Sequence, residues 1–281
     1  MPQEALPQEA LPQPVALPAD VQTITFLNVP FACLDTEGAA ALIAARPPGA
    51  PFAYVVTPNA ANLTRLNELK DPVFIEIYEN AWLHTMDGAV PRALARQLFG
   101  LHIPRAPGSD ITTALFERHI RPDDAITIIG GSDEMLERLK ARYHLTNVAM
   151  HVPPMGFINK PEEVERCVSF VLDHPARYVF FVTGSPRSEY VTRLVWRSGK
   201  AVGTGLCVGN SLNFLTGLST RAPLAYRRLG VEWLHRLVQD PKIQVKRVFV
   251  DSMPVFLAAA KARLNPAAYG MAKPDGTDST P

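Results

Sequence analysis

Ala125-Ile-Thr-Ile-Ile-Gly-Gly-Ser-Asp-Glu-Met-Leu-Glu-Arg-Leu-Lys-Ala-Arg-Tyr143, with Val148-Ala-Met-His-Val152 a few residues on, holds the fold in one short unit. The β-branched run from Ala125 to Ile129 reads as a strand, Gly130-Gly131 as a turn, and Ser132 as the N-cap of a helix over Glu134 to Tyr143. Val148 to Val152 reads as the next strand. A strand, a helix and a strand in this order predict a parallel crossover.

The same alternation extends along the chain. Further strands are expected at Ile24 to Val29, Phe52 to Val56, Trp82 to Thr85, Tyr178 to Thr183 and Ala201 to Gly205. Helices are expected at Glu37 to Ala45, Ala60 to Leu69, Pro72 to Asn80, Pro91 to Phe99, Ile111 to Ile120, Pro161 to Leu172, Arg187 to Trp196 and Tyr226 to Val238. This predicts an α/β, Rossmann-like fold, a mostly parallel sheet covered by helices. Residues 1–20 carry the repeat Pro-Gln-Glu-Ala-Leu, and 265–281 are rich in proline and glycine, so both are expected as loose tails around a domain over 21–241 and a basic, apolar appendage over 242–264.

Composition narrows the function classes. A net charge of +1 provides no global field for nucleic acid. Three widely spaced cysteines and seven histidines without ligand spacing point to a reducing, cytoplasmic setting with no metal and no cofactor. No apolar run reaches the roughly 18 residues of a membrane span.

In open α/β sheets ligands sit at the carboxyl edge of the strands, where helix N-termini present unpaired N–H groups to anions. Several turns of this chain fall there: Thr57-Pro58-Asn59, Gly130-Gly131-Ser132, Gly184-Ser185-Pro186 and the glycine-rich run through Gly205 to Gly209. None has the Walker A or dinucleotide pattern. Asn59 reads as an N-cap, and Ser109 or Asp110 as the cap of the helix from Ile111, with Gly108 leaving room for a ligand. Asp87, before Gly88 at the end of a strand, suits a general base; an Asp-Gly turn explains the pair equally well.

Arg221-Ala-Pro-Leu-Ala-Tyr-Arg-Arg-Leu-Gly-Val-Glu-Trp-Leu-His-Arg-Leu-Val-Gln-Asp-Pro241 combines an apolar helical stripe with Arg221, Arg227, Arg228 and Arg236. Leu229, Trp233, Leu234, Leu237 and Val238 share one face. Guanidinium groups stay charged and match phosphate oxygens with a fork of donors, although a core helix with a solvated basic face is the simpler reading of the pattern alone.

Taken together, these blocks resemble the bacterial WecG/TagA/CpsF glycosyltransferases, glycosyltransferase family 26. Thr57-Pro58-Asn59, Asp87-Gly88, Arg105 to Asp110, Gly130-Gly131, Pro153 to Phe157, Gly184-Ser185-Pro186 and the closing arginine-rich stretch follow the family's order. The resemblance implies an inverting, metal-independent transfer of a hexose or N-acetylhexosamine, of the N-acetylmannosamine type, from a UDP-sugar to a polyprenyl-diphosphate-linked saccharide in surface or exopolysaccharide assembly. It implies Asp87 as base and Thr57 as its positioning neighbour. The donor would lie against Asn59, Gly108, Ser109, Asp110, Gly130, Gly131, Gly184, Ser188, Gly205 and Asn213, and the acceptor diphosphate against Arg221, Arg227 and Arg228. The partners implied are the two substrates and the inner face of the cell membrane, held peripherally, with homo-oligomerisation open.

Four residues depart from the family pattern. Ser188 stands where the family carries glutamine, Ala89 where it tends to have glycine, and Leu212-Asn213 in place of Phe-Asp. Ser188 and Asn213 therefore keep a second reading in view, a catalytically weak nucleotide-sugar-binding or scaffold protein of the same pathway. A nicotinamide dehydrogenase is more remote, because the dinucleotide fingerprint is missing.

Overall fold

The computed structural model describes residues 11–220 and 251–271. The helix expected over Tyr226 to Val238 and the arginines around it lie outside the described residues.

Among the described residues six strands form one parallel sheet: β3 (Ala53–Val56), β4 (Leu83–His84), β5 (Ile126–Ile129), β6 (Val148–His151), β7 (Tyr178–Phe181) and β8 (Thr204–Cys207), in the order β4-β3-β8-β7-β5-β6. Alternate residues feed opposite faces. Tyr54, Val56, Val179 and Phe181 enter a core shared with α2 (Ala60–Thr64), α3 (Pro72–Glu79), α4 (Ala89–Phe99), α7 (Pro161–Asp173) and α8 (Arg187–Arg197). Ala53, Val55, Tyr178 and Phe180 enter a second core shared with α1 (Thr36–Ala45), α5 (Gly108–Arg118), α6 (Asp133–Tyr143) and α9 (Ser211–Leu215). The result is the helix-covered, Rossmann-like α/β sheet that the alternation predicts.

The stretch from Ile24 to Val29 is not a strand of that sheet. It turns back on itself as an antiparallel hairpin, β1 (Thr23–Phe26) and β2 (Val29–Ala32). Leu27 and Asn28 make the turn, with φ of 49° and 63°. Two consecutive positive φ values suit a two-residue hairpin, but leucine gives no hint of one. Asn67 holds it in place, donating to the Leu27 carbonyl at 3.1 Å and accepting from Asn28 at 2.9 Å. Asn67 lies on a π-helical turn, Arg65–Leu69, that continues α2.

β8 begins three residues later than expected. Gly203, with φ of 87°, lies so near Ala176 that an added Cβ would stand 2.0 Å from its carbonyl oxygen. The ladder runs from Thr204, and Val202 makes only an isolated antiparallel bridge with Pro51. Within β8, a Cβ on Gly205 would meet the Phe52 ring at 2.6 Å, so this glycine makes room for an aromatic side chain.

Some residues expected in the outer segments join the body of the domain. Val15 and Leu17 pack against the second core. A helix, α10 (Pro254–Leu264), buries Val255, Ala258, Ala259 and Ala262 in the first core, and its Lys261 bonds Glu68 at 2.6 Å. The turn Pro266–Tyr269 follows, and the Tyr269 carbonyl accepts from the Asn28 amide at 2.9 Å. Alanine-rich packing and one backbone bond leave little periodic signal in these segments. Among the described residues no helix is long and apolar enough to cross a membrane.

His84 packs inside the domain. It is buried at the end of β4, with Nε2 2.8 Å from the Tyr78 carbonyl oxygen, and burial lowers its pKa from 6.5 to about 4. Its neutral form contributes stability that is complete above pH 6.5 and is lost as pH falls toward 4. Urea unfolding of wild type and His84→Gln across this window should therefore diverge. Wild type should lose about 3 kcal/mol more, at roughly 1.4 kcal/mol per pKa unit; parallel pH profiles would contradict the assignment.

Candidate active site

The strand order creates two crevices at the carboxyl edge. From β5 the chain leaves toward β6, and from the adjacent β7 it leaves the other way, toward β8. From β3 it leaves toward β4, while from the adjacent β8 it leads into α9, which packs on α5 and α6. Ligands of open α/β sheets settle at such divergences.

The helices starting along this edge differ in how their N-termini are satisfied. Asn59 caps α2, accepting from Ala61 and Asn62, and Ser132 caps α6, accepting from Met135. Both match the expectation. By contrast α4, α5 and α8 begin with no side-chain cap. For α5 this is a correction: neither Ser109 nor Asp110 caps it. Pro107, extended at ψ of 145°, precedes the helix, so both residues fall inside its first turn. An open N-terminus leaves amide donors and the positive end of a helix dipole for an anion.

Beside the β3–β8 crevice, four segments are fastened together. The Asp87 amide donates to the Pro58 carbonyl at 3.2 Å, the Thr85 amide to Val56 at 3.1 Å, and the Ala106 amide to Met86 at 3.1 Å. The Thr85 hydroxyl donates to the Ala106 carbonyl at 2.8 Å. Gly108 lies against the ends of both strands; a Cβ there would stand 3.0 Å from Thr57 Oγ1 and 3.2 Å from Val208 Cγ1. Thr112 on α5 meets Ser211 on α9 at 3.1 Å. Thr57, Asn59, Asp87, Gly108, Ser109 and Asp110 are thus brought onto neighbouring segments, with the Thr57 hydroxyl next to the start of α5.

At the β5–β7 crevice, Gly130 lies against the residues that follow β7. A Cβ on Gly130 would stand 3.2 Å from the Thr183 amide nitrogen, and one on Gly131 would meet Met135 at 2.5 Å. Close packing thus accounts for both glycines and brings the two turns together. Gly184 leads into α8 through a cis Ser185-Pro186 bond. Ser188 is buried, with its hydroxyl 3.1 Å from the Phe181 carbonyl oxygen and 3.2 Å from Thr183 Oγ1. Serine at this position turns back onto the strand, which leaves Thr183 and Arg187 nearer the turn.

The remaining expected residues lie elsewhere. Gly205 is inside β8 and not at its end, for the packing reason given above. Asn213 is on α9 with its amide donating to Asn210. Arg221, Arg227 and Arg228 are outside the described residues. A mostly apolar cavity of about 740 Å³, beside edge strand β4, is lined by Val15, Leu17, Leu66, Ile75, Tyr78 and Trp82 among others, and by none of the expected site residues.

Sequence reasoning missed Asn62, Ser185 and Glu189. Asn62 Nδ2 donates to Ser185 Oγ at 2.8 Å and lies 3.5 Å from Glu189 Oε1. Burial pushes the Glu189 carboxyl above its ordinary range, opposed by hydrogen bonds from Ser185 and Asn62. The only sequence signal is Asn62 three residues after Asn59, the spacing of a reciprocal capping box.

Two divergent crevices, open helix N-termini and a carboxylate at a strand end form a surface for an anionic ligand and a hydroxyl nucleophile. The model of the glycosyl transferase WecG/TagA/CpsF family matches residues 24–269, which take in both crevices, Asp87 and the helix after residue 250. The chain therefore belongs to the WecG/TagA/CpsF family, and is a glycosyltransferase of cell-surface polysaccharide biosynthesis that transfers a sugar from a nucleotide-sugar donor to an acceptor.

Proposed function

We propose that this glycosyltransferase moves a hexose or N-acetylhexosamine from a UDP-sugar to a polyprenyl-diphosphate-linked saccharide, with inversion and without a metal. The observation that carries the reading is the convergence of Asp87, Thr57 and the open first turn of α5 at one crevice. The acceptor hydroxyl oxygen forms a bond to the anomeric carbon as the bond to UDP breaks. Its proton passes to Asp87, and UDP leaves with the electron pair. The amides at Gly108 and Ser109, and those of the Gly184 turn, would take up charge on the leaving diphosphate. Arg221, Arg227 and Arg228 join this proposal from sequence alone, as donors to the acceptor's diphosphate.

A peripheral position on the inner membrane face belongs to the same proposal. Its support is the outer face of α10, where Phe256, Leu257 and Leu264 are 45%, 52% and 88% exposed beside Arg263. Exposed apolar residues near cations suit a lipid interface.

Asp87→Asn should lower turnover about 100- to 10,000-fold, the usual contribution of a general base, while calorimetric UDP-sugar affinity stays within about threefold. Transfer that survives the substitution would remove Asp87 from this role. Wild-type binding without turnover on any donor would favour the scaffold reading. Gly108→Ala places a methyl against Thr57 and should cut kcat/KM about tenfold or more by displacing the site, with only a few degrees lost in Tm; unchanged kinetics would separate α5 from the donor site. Phe256→Glu with Leu257→Glu should abolish co-sedimentation with anionic vesicles at unchanged Tm, and retained binding would place membrane contact elsewhere.

A further inference from the structure

Asn62 is a buried amide with both ends in use. Its Oδ1 accepts from the Asn59 backbone amide at 3.1 Å, in the loop that follows β3. Its Nδ2 donates to Ser185 Oγ at 2.8 Å, in the loop that follows β7, and points toward Glu189 Oε1 at 3.5 Å. Strands β3 and β7 are not neighbours; β8 lies between them. Adjacent strands are about 4.8 Å apart, so this bridge spans roughly 10 Å of sheet and joins one crevice to the other.

Glu189 anchors the far end. It lies in the first turn of α8, buried, with Ser185 and Asn62 bonding its carboxyl group. Its second oxygen, Oε2, has no partner among the described residues, nor does the nearby Tyr78 hydroxyl. The cation that acts on it, Arg65, is already engaged with Asp71 at 3.6 Å and lies over the Phe74 ring. For stability alone, a half-satisfied buried carboxyl is worse than an apolar side chain of the same size. Such groups mark places where geometry is being held.

We propose that Asn62 and Glu189 are positioning residues that clamp the Thr57–Asn59 loop to the Gly184–Pro186 loop across the end of β8. Asp87 shares in the clamp, because its amide bonds the Pro58 carbonyl. Resting on the function proposed above, the clamp sets the spacing between the base and the amides that hold the leaving diphosphate. Neither residue touches substrate. Misplacement of reacting groups by about 1 Å costs on the order of 100-fold in rate, so a loosened clamp should appear in kcat before it appears in binding.

Full-length wild type, Asn62→Asp, Glu189→Ala and Glu189→Gln are compared by hydrogen–deuterium exchange and by UDP-sugar transfer. Asn62→Asp keeps the acceptor for the Asn59 amide and removes the donor to Ser185. With Glu189→Ala it should speed exchange of the amides over residues 58–64 at least tenfold and lower kcat at least tenfold, with donor KM within threefold. Glu189→Gln keeps an acceptor oxygen of the same shape and should stay within threefold of wild type in both readings. Unchanged exchange over 58–64 in Asn62→Asp would overturn the clamp, as would Glu189→Gln being as damaging as Glu189→Ala. If wild type transfers no sugar from any donor, the proposed reaction fails while exchange still decides the clamp. If Glu189→Ala does not fold, Asn62→Asp and Glu189→Gln decide it.

Discussion

The first turn of α5 lies against the ends of two strands, and the missing side chain at Gly108 permits it. A Cβ there would be in tight contact with both Thr57 and Val208. This approach fixes the hydroxyl of Thr57, directs the uncapped end of α5 over the β3–β8 crevice, and places Thr112 where it can meet Ser211 on α9. The parallel sheet makes the arrangement available, because all its strands end on one side and each following helix must begin there. Gly108 determines how near one of those helices comes.

Helix capping separates structural turns from turns that can serve a ligand. Asn59 and Ser132 satisfy the first amides of their own helices, whereas the residues before α4, α5 and α8 place no side chain on theirs. Elsewhere the layers are tied by charge. Glu76 on α3 receives Arg193 at 2.6 Å and Arg197 at 3.0 Å from α8, and Tyr190 donates to Asp71 at 2.6 Å. Ion pairs that still meet water in this way contribute modestly. They sit behind the crevices and hold α8 in register with α3, so the open end of α8 starts from a braced helix.

Local chemistry made most of the fold legible. The unit β5–α6–β6 could be read from apolar runs, two glycines and the Ser132 cap, and each is where the pattern puts it. Reading broke down where a distant partner decides the conformation. Leu27 adopts a left-handed turn because Asn67 holds its carbonyl, and β8 starts late because Gly203 is pressed against Ala176. At the site, Asp87 and Thr57 could be singled out because each stands at a strand end. The link from Asn62 to Ser185 joins residues 123 apart in sequence, beyond any local pattern. Ser188 drew attention as a departure from the family, yet its hydroxyl faces the Phe181 carbonyl, which only the packed strand reveals.

On the function proposed above, the N-termini of α5 and α8 together receive the donor's diphosphate. A crystal structure of the full-length protein with UDP tests it most directly. Phosphate oxygens are expected within hydrogen-bond distance of the backbone amides at Gly108–Ser109 and in the turn from Gly184 to Arg187. Phosphates bound away from both helix ends, for example in the apolar cavity beside β4, would contradict it.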